Sequence, residues 1–305
     1  MIHALLHEVP ELAGKNCIAA RLIAGGLSGD RKIYVETDDG QRLLLRVSGS
    51  DAIDRKRDEY EMTMTAYRHG VPAPQPLGFG SCEGGKSCYA LFRWMDGKDA
   101  ESMLPEMSEA AQYALGRKTG ELLRKIHSIP SPSPAHVETH AVRFGRRVDA
   151  WIARYHSKPE AHCEAGDRTV RYLQKSCTAI AKRPQTFIHG DYNTENIIVM
   201  PTGEIGVIDF NSYNTSYGDP WEELTGMAWM PALHFAFHSG QINGYFGGEP
   251  PAAFWSALCY YLAYSALTAL TDAEGLNGVD NGAEIAERIF AWTDNFTRPM
   301  PVWYG

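Results

Sequence analysis

The sequence predicts an α+β protein of two lobes, a small antiparallel β-sheet lobe over residues 1–95 and a larger, mainly helical lobe over 96–305. Three observations carry this. At 305 residues the chain reaches the size at which one hydrophobic core usually divides into two. Its composition, 44% hydrophobic and 22% charged, is that of an ordinary globular protein and excludes a disordered or fibrous class. Near residue 100 the apolar spacing changes from the two-residue period of strands to the 3.6-residue period of helices.

The elements follow in chain order. The opening MIHALLHEVPEL has no basic stretch leading into a long apolar core, so no signal peptide is expected and the chain is expected in the cytoplasm. RLIAGG (21–26), KIYVET (32–37), RLLLRV (42–47) and CYALFRWM (88–95) have the alternation or apolar run of strands, and Asp38-Asp39-Gly40 makes a hairpin of the second and third. DRKRDEYEMTMTAYRHG (54–70) reads as a helix stopped by Gly70, followed by the extended, Pro-rich VPAPQPLGFG. Residues 80–87, GSCEGGKS, satisfy the phosphate-loop pattern G-x-x-x-x-G-K-S, yet a strand follows where that loop needs a helix, so a polar hairpin turn is expected. Helical spacing of Ala111, Leu115, Leu122, Leu123 and Ile126 predicts a helix from Ser108, and 128–142 reads as a loop excursion. Asp219-Pro220-Trp221-Glu222 reads as a helix start with a capping box. The apolar stretch 254–270 carries Ser and Tyr throughout and is slightly short for a bilayer, which predicts a buried helix and no membrane. Six cysteines without a C-x-x-C pair read as reduced packing residues.

Charge is distributed unevenly. From residue 201 onward twelve acids face two bases, a balance of −10 within a chain whose total is −8, which leaves +2 for residues 1–200. That polarity argues against nucleic acid and for a small cationic partner, a merely solvated acidic surface being the plainer alternative.

The span FIHGDYNTENIIVMPTGEIGVIDF (187–210) concentrates the chemistry. IIV and IGVIDF are short apolar strands about the turn Pro201-Thr202-Gly203, with a polar loop in front. Asp191 and Asn196 then lie at the two ends of one loop, and Asp209 leaves the second strand. Two hard oxygen donors beside a further carboxylate suit a cation such as Mg²⁺, which takes one or two protein ligands when phosphates supply the rest, and a hydroxyl that must lose its proton.

His189-Gly190-Asp191 with Asn196 and Ile208-Asp209-Phe210, continued by YGDPWEEL (217–224), resembles the catalytic signature of the aminoglycoside phosphotransferase and choline kinase family, relatives of the protein kinases. The resemblance implies a two-lobed protein-kinase-like fold that binds ATP or GTP between its lobes. It assigns Asp191 as acceptor of the substrate hydroxyl proton, His189 as the brace of its loop, and Asn196 and Asp209 as ligands of Mg²⁺. In the same frame the Gly-rich turn with Gly26, Ser28 and Gly29 covers phosphates, and Arg46 stands where protein kinases carry a Lys. Its expected partner is Glu59 on the following helix, or Glu61, and the backbone from Ala90 to Phe92 is expected to meet the adenine. The acceptor implied is a small hydroxylated cation, foremost an aminoglycoside antibiotic, with Glu223, Asp272 and Glu274 as candidate acids against it. A metabolite kinase of choline, ethanolamine, homoserine or methylthioribose type, and a kinase-shaped binding protein without turnover, are the alternatives. A monomer or homodimer is expected.

Overall fold

The computed structural model describes residues 2–23, 29–131, 138–211, 216–230, 232–272 and 282–305. The chain clusters into two compact units, one of Met1–Met103 with His189–Ser216 and the other of Leu104–Ile188 with Tyr217–Gly305. The segment 189–216, which the sequence assigns to the second lobe, therefore clusters with the first.

The first unit opens with helix α1 (Ile2–His7) and strands β1 (Cys17–Ile23), β2 (Arg31–Thr37) and β3 (Arg42–Gly49). Helix α2 (Ile53–Arg68) precedes strands β4 (Pro76–Cys82) and β5 (Ser87–Arg93). The sheet is antiparallel throughout, in the order β1-β2-β3-β5-β4. Alternation decides its faces. Ile33, Val35, Leu43, Leu45, Val47 and Leu91 point to one side, where Leu5, Leu6, Val9 and Leu12 cover them. Leu44, Ala90 and Phe92 point to the other and pack with Tyr60 and Met64 of α2. Residues 80–87 form the end of β4, a short turn and the start of β5, with Lys86 exposed, so the phosphate-loop pattern is a hairpin turn.

Next come β6 (Lys98–Asp99) and α3 (Ala100–Met103). β6 pairs with β8 (Ile197–Val199), which pairs with β9 (Ile205–Val207) in the register Ile197 to Val207. The Val207 amide also donates to the Pro72 carbonyl at 2.8 Å. These main-chain bonds draw the hairpin of 197–207 onto the first unit.

The second unit holds α4 (Glu109–His127), α5 (His140–Ser157), α6 (Glu164–Ser176), β7 (Thr186–Phe187) paired with β10 (Tyr217–Gly218), α7 (Phe235–Phe246), α8 (Ala252–Thr271) and α9 (Gly282–Thr293). Ser108 caps α4 by accepting from the Ala111 amide, and Thr139 caps α5 through Val142, so the last residues of the expected 128–142 loop are helical. α8 is apolar and long enough to cross a membrane, but 78% of that window is buried inside the protein, where α8 packs on α5, α6 and α9.

Asp219, completely buried, organises a polar centre in this unit. It accepts from Arg183 at 2.9 and 3.0 Å, from the Trp221 amide at 3.0 Å and from the Tyr261 hydroxyl at 2.8 Å. The expected capping box is only half formed. The Asp219 amide donates to Nδ1 of His140 at 3.2 Å rather than to Glu222, which pairs with Arg147 at 3.2 Å, and the helix that follows, Glu222–Trp229, is a 3₁₀ helix.

α4 and α7 meet through glycine. A Cβ on Gly116 would overlap the Phe237 carbonyl, on Gly120 that of Gln241, on Gly240 that of Tyr113 and on Gly244 that of Arg117. Each helix thus lays two glycines four residues apart against the backbone of the other. Gly120→Ala is expected to destabilise the protein by about 1–3 kcal/mol by overpacking this seam, measured as a lower urea midpoint at unchanged slope.

Candidate active site

The loop after β7 is built around a buried imidazole. His189 is completely buried; its Nε2 lies 3.0 Å from the Ile208 carbonyl and its Nδ1 accepts the Asp191 amide at 3.2 Å. These two bonds assign the neutral tautomer with the proton on Nε2. The Asn211 amide returns to the His189 carbonyl at 2.9 Å. Between them Gly190 has φ +87°, and a Cβ there would overlap the Asn211 carbonyl, so only glycine fits this crossing. Asp191 emerges exposed, with Oδ1 accepting from Asn193 at 2.9 Å and Oδ2 from Asn196 at 3.0 Å. Asn196 also donates to the Asp191 carbonyl at 2.9 Å, and the Ile208 amide donates to the Asn196 carbonyl at 3.0 Å. Asp209 follows directly, in the left-handed region at φ +66°.

Asp209 meets the sheet through Arg46, whose Nη1 is ion-paired to Asp209 Oδ1. The guanidinium also donates Nε and Nη2 to Oδ2 of Asp30, at 3.2 and 2.7 Å. The same oxygen takes Lys56 Nζ at 2.8 Å, while Oδ1 takes the Ser48 hydroxyl at 2.7 Å. Lys56 continues to Glu59 at 2.9 Å, and Glu59 is closed off by Arg55 at 2.9 Å. Side chains of Asp30, Lys56, Glu59 and Arg46 are 2%, 7%, 11% and 14% exposed, so this chain of alternating charge is largely shielded from water.

Around the network lies a cavity of about 500 Å³ whose lining residues all belong to the first unit. Ile23, Leu44, Ala90, Phe92, Ile198 and Ile208 supply its apolar walls. Its charged lining mixes cations, Lys32, Arg46, Lys56, Arg93 and Lys98, with acids, Glu59, Asp99, Glu195 and Asp209.

A model of the phosphotransferase enzyme family matches residues 19–255, well over half of the sequence. The chain belongs to this phosphotransferase family. Solved structures with the same fold include a choline/ethanolamine kinase family protein from Mesorhizobium loti, 20% identical over 95% of this chain and 91% of that one, with a TM-score of 0.62. The GDP complex of aminoglycoside 2′-phosphotransferase-IIIa is 13% identical over 94% and 97%, at 0.64. Amicoumacin kinase with AMP-PNP, Ca²⁺ and amicoumacin is 15% identical over 97% and 92%, at 0.59. No curated protein matches the sequence. The fold of this phosphotransferase is thus that of the protein-kinase-like enzymes, a small antiparallel sheet with a larger helical part.

Within the phosphotransferase the expected residues fall into three groups. His189, Asp191, Asn196, Asp209 and Arg46 form one hydrogen-bonded set in the first unit. Four expectations need correction. Glu59 pairs with Lys56 and Arg55 and not with Arg46, because Asp30 and Asp209 already take the guanidinium. Ala90 and Phe92 line the cavity with their side chains, but β5 is central in the sheet and its backbone is bonded to β3 and β4 on its two edges. Beyond the Trp94 amide, which bonds to Arg42, the next amide, that of Met95, has no backbone partner among the described residues. Glu223 is buried against His127 at 2.8 Å, and Asp272 is claimed by Arg154 at 2.5 Å and Lys158 at 3.1 Å, so neither is an acid awaiting a cation. Gly29 is described, at φ +68°, while Gly26, Ser28 and Glu274 lie outside the described residues. Asp30, Lys56 and Met95 belong to no motif in the sequence; the one signal for the first is its place between the Gly-rich turn and β2.

The donor set suits a hard cation. Arg46 takes one oxygen of Asp209 and leaves Oδ2, and Asn196 spends its amide nitrogen on Asp191, which leaves its side-chain oxygen. The acid side of stability follows from the same groups. Burial works to raise Asp30, but hydrogen bonds from Lys56 and Ser48 and the charges of Arg46 and Lys56 win, and hold it at about 2 against an ordinary 3.8. For Asp209 too burial pushes upward and the charge of Arg46 prevails, so it is lowered. A carboxylate depressed in the folded state stabilises above its ordinary range and loses that contribution as pH falls through its folded value. Acid denaturation between about pH 4 and pH 2 is therefore expected to be shallower in Asp30→Asn, by about 2 kcal/mol of pH-dependent stability, read from urea midpoints across that window.

Proposed function

We propose that this phosphotransferase moves the γ-phosphoryl group of ATP or GTP to a hydroxyl of a small cationic substrate, an aminoglycoside antibiotic foremost, with Mg²⁺ as cofactor. The observation that carries the reading is the exposed Asp191 carboxylate, oriented by amide donors from Asn193 and Asn196 and tied through the Asn196 carbonyl to the strand that delivers Asp209. In this reading Asp191 accepts the proton of the attacking hydroxyl and passes none to His189, whose Nδ1 is engaged by the Asp191 amide. The metal, held by Asp209 and the Asn196 oxygen, would neutralise charge on the nucleotide phosphates. Arg46, Lys56 and Lys32 among the lining residues supply further positive charge, and the apolar walls of the cavity suit a nucleobase. The Met95 amide, without a backbone partner among the described residues, offers the base a hydrogen bond of the kind expected from Ala90 to Phe92.

A second acceptor class, metabolites of choline, ethanolamine, homoserine or methylthioribose type, is favoured by one observation. Glu223 is buried and hydrogen-bonded to His127, and Asp272 is ion-paired to Arg154 and Lys158, which removes two of the three candidate acids for holding a polyamine.

The test is a panel of both acceptor classes with ATP or GTP and Mg²⁺, read by nucleotide consumption and product mass. Phosphorylation of an aminoglycoside supports the first reading, and turnover restricted to a metabolite moves the assignment to the second. Asp191→Ala is expected to lower turnover about 10²–10⁴-fold without loss of nucleotide affinity, whereas Lys86→Ala on the exposed turn changes neither. Full activity in Asp191→Ala would refute the proton-acceptor role.

A further inference from the structure

Arg46 faces two carboxylates with opposed demands. Asp209, as a ligand of a divalent cation, has to be available to it. Asp30 sits on the other side, behind the guanidinium, with a side chain only 2% exposed. Asp30 takes Nε and one N–H of Nη2, the donors on one edge of the fork, and so fixes the guanidinium in an orientation from which Nη1 is the nitrogen bonded to Asp209. An arginine unrestrained on that edge can turn to offer a carboxylate two parallel bonds, the geometry guanidinium and carboxylate favour. Both oxygens of Asp209 would then be occupied by the protein's own cation.

We propose that Asp30 is a positioning residue which holds Arg46 by one edge, limits it to a single bond with Asp209, and so keeps Asp209 open to the metal–nucleotide complex. The inference rests on the reading of Asp209 as a metal ligand. Lys56 and Ser48 belong to the device, since they fix Asp30 through Oδ2 and Oδ1 and are fixed in turn by Glu59 and by β3. The role that the sequence assigned to Glu59 is thereby divided. Glu59 anchors Lys56, Lys56 anchors Asp30, and Asp30 anchors Arg46.

The arrangement separates two binding events that a merely structural ion pair would affect alike. Nucleotide without metal needs the cations Arg46 and Lys56 but not Asp209. Nucleotide with Mg²⁺ needs Asp209 as well. In Asp30→Asn, which keeps the shape and removes the charge, affinity for ATP and GTP in the presence of Mg²⁺ is expected to fall about tenfold or more, from the loss of a charge-assisted bond. Affinity for the same nucleotides in EDTA is expected to hold or tighten, because a negative charge near the phosphates has gone. Titration calorimetry in both buffers gives the ratio. Ser48→Ala, which removes one neutral donor from Asp30 and spares the ion pairs, is expected to shift that ratio in the same sense by about two- to fivefold, and serves should Asp30→Asn fail to fold.

An equal loss with and without Mg²⁺, or no change in either, would overturn the positioning role. Absence of nucleotide binding by the wild-type protein would instead overturn the proposed function, so the two failures are distinguishable.

Discussion

A guanidinium held largely out of water is the constraint on which the first unit's site depends. Moving such an ion from water costs several kcal/mol unless fixed partners replace the solvent, and Arg46, 14% exposed, finds them in Asp30 and Asp209. The second partner lies 163 residues along the chain. Holding both requires β3 to present Arg46 at its centre, β2 to start just after Asp30, α2 to supply Lys56 in its first turns, and the residue after Ile208 to adopt a left-handed backbone. One side chain joins three of these segments directly, and α2 is joined to them through Lys56 and Asp30. That backbone, at φ +66°, is one a non-glycine residue adopts at a cost of order 1 kcal/mol or more, and the ion pair to Arg46 helps to hold it there.

How far the sequence could reveal this depends on how local each feature is. β2 and β3 are written in a two-residue period that burial enforces, β5 is a continuous run buried on both faces, and the loop from His189 to Asp209 lies within one short span, so all three are legible. The partners of Arg46 are not, because a charge pair in space leaves no spacing in the chain. Asp30 follows a Gly-rich turn and reads as a turn residue; Lys56 sits among Arg55, Arg57 and Asp58 and reads as one charge on a solvated face. An adenine contact on β5 is what its apolar run suggests, because that run ends in the right region. Only the pairing of that strand on both edges reveals that its backbone has no bonds to give.

The charge balance misled for a related reason. Of the twelve acids after residue 200, Asp209, Asp219, Glu222, Glu223 and Asp272 each pair with an Arg, Lys or His from the first two hundred residues. An acid surplus in one stretch and a basic surplus in another are what a folded chain shows when its ion pairs join distant segments. Buried acids of this kind fix geometry more than they attract ligands, as Asp219 does by gathering Arg183, Tyr261, Trp221 and His140 about one carboxylate and its amide.

The helix α7 is illegible in the sequence for a reason that also explains its use. Gly240 and Gly244 lower its intrinsic propensity, and so hide it from a reading based on apolar periodicity. In the folded chain those two glycines and their counterparts on α4 leave nothing between the peptide planes of the two helices. The separation along that seam is consequently a property of the main chain and owes nothing to the shape of any side group. Substitutions on the outward flanks of either helix can accumulate and alter whatever those flanks touch, while the spacing between the two axes stays where the bare backbones put it.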